Sequence, residues 1–189
     1  MKRFVFSFII VFLSIVSFAQ TNLDGTWFCS DSQSETVDKE QGQGDLKAVM
    51  NQTYRFKGNA FEAESQAKIT MDISAESTDG EKADVVFRID VTGSNSGTLE
   101  FKDGILTLTP DKKKPKVTVD ADVEGIPGGG LLKSMVANPL KKELANELKK
   151  VEKYKVLSLT ATELTLQEIL TEKEIKKGNK AETLVFTRK

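Results

Sequence analysis

The sequence predicts an all-β chain: an antiparallel up-and-down β-barrel of eight to ten strands, with a short helical insertion at about residues 131–150. Three observations predict it. Many short segments alternate apolar and polar residues, the period of a half-buried strand. Glycine, asparagine and aspartate cluster between those segments, as tight turns require. Only one later stretch spaces its apolar residues like a helix. Closing such a series of strands into a barrel hides one apolar face per strand and removes exposed edges.

The chain opens with Met1, Lys2 and Arg3, followed by an apolar run from Phe4 to Phe18 and small residues at Ser17 and Ala19. This order predicts a secretory signal peptide over residues 1–19, cleaved near Ala19/Gln20. The apolar run is about 15 residues, short of the roughly 20 that a membrane-spanning helix needs. No cysteine directly follows the cut, so no lipid anchor is expected. Residues 20–189 then form a single domain. Leu23 to Cys29 reads as the first strand, residues 31–45 as a long polar loop, and Met50 to Phe56 as the next strand. Ile69, Met71 and Ile73 mark another. Val85, Phe87, Ile89 and Val91, interleaved with Val86, Arg88, Asp90 and Thr92, give the cleanest alternation. Gly93-Ser94-Asn95-Ser96-Gly97 reads as a turn, separating these from Leu99 and Phe101. Leu106 and Leu108 follow the Asp103-Gly104 turn. Val117, Val119, Ala121 and Val123 alternate with Thr118, Asp120, Asp122 and Glu124. Leu131 to Val151 has helical spacing, and Asn138-Pro139 reads as an N-cap before proline, which predicts two short helices. Leu157 and Leu159, Leu164 and Leu166, and Leu184 and Phe186 mark the last strands.

Composition narrows the chemistry. The chain has one cysteine and no histidine, so it has no internal disulfide and lacks the commonest general base and metal ligand. No catalytic constellation, metal site or cofactor is expected, and the chain reads as a non-enzyme. Removing the two basic residues of the leader leaves 25 against 28 acids, a net charge of −3. That near-neutral balance points to no nucleic-acid partner. No stable membrane anchoring is expected after cleavage, and no protein partner is indicated.

Leu23-Asp24-Gly25-Thr26-Trp27, then Tyr154-Lys155-Val156-Leu157-Ser158-Leu159, Glu163-Leu164-Thr165-Leu166 and Phe186-Thr187-Arg188 together resemble the frame of the lipocalin-like (calycin) family, in its small exported bacterial form. The resemblance covers both ends of the chain, and the middle agrees in strand pattern alone. It implies that Trp27 packs across the closed barrel end with Arg188 against its ring, a structural pair. It further implies binding of a small hydrophobic molecule inside the barrel.

Other motifs have plainer readings. Gly128-Gly129-Gly130-Leu131-Leu132-Lys133-Ser134 is similar to a phosphate loop but has leucine where glycine must precede the lysine; it reads as a hinge. Asp120, Asp122 and Glu124 read as a solvated outer face rather than a Ca²⁺ site. Asp111 to Lys116 reads as a lysine-rich turn that blunts a strand edge. Lys141, Lys142, Lys149 and Lys150 lie opposite Leu140, Leu144 and Leu148, as in a helix covering one barrel mouth. Cys29 is expected inward, as a small hydrophobe. Asn51-Gln52-Thr53 fits a glycosylation pattern that is common by chance.

The candidate ligand-lining residues are the inward-facing Met50, Tyr54, Phe56, Ile69, Met71, Phe87, Ile89, Leu99, Phe101 and Val119. The expectation is a secreted or periplasmic carrier of a small hydrophobic ligand. The alternative is a non-enzymatic structural or interaction protein of the envelope, with its barrel filled by side chains.

Overall fold

The structure is a computed structural model that describes residues 22–39, 42–76, 82–113, 115–125, 129–176, 178 and 180–189. The leader and its cleavage site lie outside the described residues, as do the Asp79-Gly80 turn and Ile126 to Gly128. The elements run β1 (Gly25–Lys39), β2 (Gly42–Lys57), β3 (Ala60–Glu76), β4 (Lys82–Lys102), β5 (Ile105–Pro110), β6 (Lys116–Glu124), α1 (Gly129–Glu147), β7 (Glu152–Leu159), β8 (Glu163–Glu168), α2 (Glu172–Lys176) and β9 (Thr183–Arg188). Every strand pairing is antiparallel.

The nine strands close an eight-lane barrel, because β5 and β6 share one lane beside β4. β5 pairs with β4 up to Gly97↔Pro110, and β6 resumes at Ser94↔Lys116. Three residues of β4 are passed while six of its partner are passed, so Asp111 to Pro115 is an interruption inside one strand path. The ring continues β5–β7–β8–β9 and closes on β1, where the contact is the short ladder Trp27↔Arg188 and Phe28↔Thr187. Among the described residues β6 is hydrogen-bonded to β4 alone, and it is flanked by α1 on its other side. The barrel is therefore closed and narrow at the Trp27 end and splayed at the other.

The closed end is filled. Trp27, Phe186, Leu106, Leu108, Leu164 and Leu166 are its largest fully buried side chains. Tyr54 stacks on Phe56 with ring centroids 5.6 Å apart, and meets Phe186 edge-on at 5.5 Å, the two geometries that the aromatic quadrupole favours. The Arg188 guanidinium carbon lies 4.6 Å from the Trp27 ring centroid. Its Nη2 donates to the carbonyls of Asn22 at 2.7 Å and Asp24 at 3.1 Å. The Trp27 indole donates to the Leu23 carbonyl at 2.8 Å. Gly25 explains why this opening contains glycine. Its φ is +137°, a backbone conformation in which a side chain would be strained, while a Cβ there would only touch Arg188 Nε, at 3.4 Å.

Four sequence expectations are corrected. Residues 31–45 are not a loop: β1 and β2 pair from Gly25↔Phe56 through to Lys39↔Gly42. Polar residues suffice there because this part of the ribbon projects beyond the core. Gly93 to Gly97 is not a turn but the interior of β4. A Cβ on Gly97 would collide with the Thr109 carbonyl oxygen, and one on Gly93 would press Leu148 at 3.2 Å. The glycines permit close approach rather than reversal. Leu131 to Val151 does not divide into two helices, since α1 continues through Pro139. The lost hydrogen bond is offset by packing along β6. Leu157 and Leu159 do not share a face. A register shift between Val156 and Ser158 turns Leu157 outward, while Val156 and Leu159 stay buried.

The predicted hairpins at Lys57-Gly58-Asn59 and Asp103-Gly104 are present, the latter with both residues at positive φ. Val85, Phe87 and Ile89 are half-buried on the inner face, with Arg88 and Asp90 exposed opposite. Among the described residues no helix is long and apolar enough to cross a membrane.

Candidate functional site

The splayed end of the barrel holds a partly enclosed cavity of about 900 Å³. One wall is the inner face of the sheet, contributed by Met50 of β2, Ser65, Ala67 and Ile69 of β3, Val91 and Gly93 of β4, and Val117 of β6. Strand alternation places these side chains together because Met50↔Ala67 and Ser65↔Gly93 are register partners across neighbouring strands. The facing wall is the C-terminal half of α1 with the turn after it: Leu140 and Leu144 share one helical face, and Leu148, whose N–H donates to the Leu144 carbonyl at 3.0 Å, extends it by one turn. The segment Ile169 to Thr171, before α2, completes the rim.

The floor is polar. Glu152, Tyr154 and Glu168 reach the cavity from β7 and β8, and Tyr154 and Glu168 are directly opposed in register. Glu152 Oε2 accepts the Tyr154 hydroxyl at 2.9 Å and the Tyr54 hydroxyl, from across the barrel, at 3.2 Å. Burial pushes the Glu152 carboxyl above its ordinary value, while the two phenolic hydrogen bonds pull it back in part. Both phenols are held strongly neutral, first by burial and then by the Glu152 charge. The Glu168 carboxyl is also raised, chiefly by burial and then by the charges of Glu174 and Glu182. A smaller hollow of about 200 Å³ shares Met50, Tyr154 and Glu168 and is bordered by Cys29 and Gln52. Cys29 is buried, and desolvation pushes its thiol up, away from a reactive thiolate.

The ten residues expected to line a ligand space are split by this geometry. Met50 and Ile69 face the cavity. Tyr54 supports the floor through Glu152. Phe56 and Leu99 belong to the filled core below. Met71, Phe87, Ile89 and Val119 continue the apolar inner face beyond or beside the cavity, Met71 being 36% exposed. Phe101 is 38% exposed; it lies past Leu99 on β4, at the end of the barrel remote from the cavity.

Sequence reasoning missed Glu152, Tyr154 and Glu168 as a group. The signal was available: Tyr154 and Val156 point inward, so alternation carries Glu152 inward too, a charge in phase with the core. The acidic run of β6 stays on the surface. Asp122 pairs with Lys133 at 2.6 Å, and Glu124 pairs with Arg88. Among the described residues no group of three histidine, cysteine or acidic side chains is placed to hold a metal ion.

The barrel is compatible with a lipocalin-like fold. A comparison of the chain with family models finds no match, and a comparison with curated proteins finds none either.

Proposed function

We propose that the protein is an exported, lipocalin-like carrier, not an enzyme, which holds a small apolar molecule in the mouth of its barrel beneath α1. The observation that carries this reading is the cavity of about 900 Å³ between the inner sheet face and the leucine face of α1. Binding sites of this size, largely apolar with a few convergent polar groups, suit one lipophilic ligand. The filled closed end leaves the ligand to the mouth rather than the barrel centre. Export is supported by the tripartite pattern of residues 1–19. The lipocalin-like assignment is supported by the eight-lane closure and by Arg188 lying over Trp27.

The test is a thermal-shift titration of the mature chain with lipophiles of matched chain length, beside the variant Ala67→Trp. Ala67 faces the cavity, so an indole there occupies ligand space without displacing core. A ligand at a hundred times its Kd stabilises the fold by about 2.7 kcal/mol, which for a chain of this size raises Tm by roughly 5–10 °C. That shift is expected for the wild type and is expected to disappear in Ala67→Trp. A wild-type Tm unmoved by every lipophile would refute the carrier reading.

A further inference from the structure

The cavity floor offers acceptors and almost no free donors. Glu152 places both tyrosine hydroxyls on Oε2 and leaves Oε1 without a hydrogen bond among the described residues. Glu168 lies beside it, and its backbone N–H is already given to the Glu182 carbonyl. The Gln52 amide oxygen is buried in the adjoining hollow with no partner. Among the described residues no lysine or arginine forms an ion pair with Glu152 or Glu168. Two lysines border the cavity, Lys150 and Lys153: Lys150 pairs with Glu147 at 2.6 Å, and Lys153 is exposed, in the outward phase of β7. Glu174, on the rim, accepts from the Thr171 N–H at 2.7 Å and hydroxyl at 2.6 Å.

We infer that the ligand is an amphiphile with a donor-rich, cationic head, an alkylamine or similar, whose ammonium group rests between Glu152 and Glu168 while its chain lies against Leu140, Leu144, Leu148 and Ile69. This rests on the carrier reading and adds the head-group class to it. A buried carboxylate needs a donor or an opposite charge. An ammonium supplies both, with three N–H groups for Glu152 Oε1 and Glu168. A carboxylate head would bring a third acid to a floor where, among the described residues, neither Glu152 nor Glu168 is paired with a cation, and a fatty acid is disfavoured on that ground. The raised Glu152 and Glu168 carboxyls are consistent with a floor short of cations.

The experiment titrates the mature chain at neutral pH with decylammonium, decanol and decanoate, using a displaced fluorescent lipophile as the signal. Decylammonium is expected to bind at least ten-fold tighter than decanol, with decanoate weakest. The double variant E152Q/E168Q is expected to bind decylammonium and decanol alike. If decanol and decylammonium bind the wild type equally, or decanoate binds best, the head-group inference falls while the carrier reading stands. If none of the three binds, both fall together. Retention of the amine preference in E152Q/E168Q also overturns the inference. Should that variant not fold, the three-ligand series on the wild type decides alone.

Discussion

Glu152 shows what alternation does to a single residue. It stands two positions before Tyr154 on a strand whose inward phase is fixed by Val156, so the pleat turns its carboxylate toward the interior whatever its charge prefers. Tyr54 and Tyr154 supply two hydroxyl donors, yet burial still raises the carboxyl above its ordinary value. The sign of the consequence follows. A carboxyl whose folded value is raised stabilises the fold when protonated, and that contribution is lost as pH climbs from the ordinary glutamate range through the raised value. Glu152→Gln keeps an acceptor for the phenols and removes the titration. Urea unfolding from pH 4 to pH 8 is therefore expected to show Glu152→Gln gaining on the wild type as pH rises. The gain amounts to about 1.4 kcal/mol for each unit by which the carboxyl is displaced. Parallel curves, or a wild type that gains on the variant, would contradict the burial argument. The Trp27 and Arg188 pair was legible in the sequence because glycine, tryptophan and a terminal-strand arginine each leave a distinct signature. Glu152 was missed although its phase with Tyr154 and Val156 was legible, because a charged residue at a strand end is ordinarily read as solvated.

At the scale of elements, the strands with clean alternation were legible: β3, β6, and the two halves of β4. The errors came where one residue type serves two physical ends. Gly93 to Gly97 carries turn chemistry, yet its glycines let another backbone or side chain approach β4. Gly97 faces Pro110 at the point where the β5–β6 lane changes register, and a methyl group there would meet the Thr109 carbonyl and the Phe61 ring. Gly97→Ala must therefore separate β4 from β5 or bend the strand. A cost of about 3 kcal/mol is expected from urea unfolding, the upper end of overpacking in a filled core. Gly58→Ala serves as comparison, since nothing lies within 4 Å of its added Cβ; the loss there is confined to the strain of its positive φ, about 1 kcal/mol. Equal losses at the two sites would show that Gly97 is retained for its conformation and not for proximity. Pro139 misled in the same way: it marks helix starts, but here α1 continues through it, held along β6. The polar stretch of β1 and the start of β2 misled because strand pairing satisfies the backbone even where the strand's own side chains are polar and exposed.

On the scale of the whole molecule, stability and function occupy opposite ends. The closed end joins β1 to β9 around Trp27, Phe186, Leu164 and Leu166, all at or near zero exposure. The splayed end leaves the outer half of β1 paired on one side only and β6 with α1 beside it in place of a strand. Local opening is cheapest where buried apolar contact is least and backbone hydrogen bonds meet solvent. Amide hydrogen exchange is thus expected to be slowest at Trp27, Leu164, Leu166 and Phe186. It should be faster by orders of magnitude from Ser32 to Thr36, although all these residues are in strands. A ligand in the mouth bridges the sheet face and α1, so saturation with decylammonium should slow exchange from Leu140 to Leu148 and around Ala67 and Ile69. It should leave the Trp27 end unchanged below the limit of global unfolding. Uniform protection along β1, or ligand protection centred on Phe56 and Leu99, would mean that the barrel is not divided into a filled base and an open mouth. It would place the bound molecule in the core that side chains occupy here.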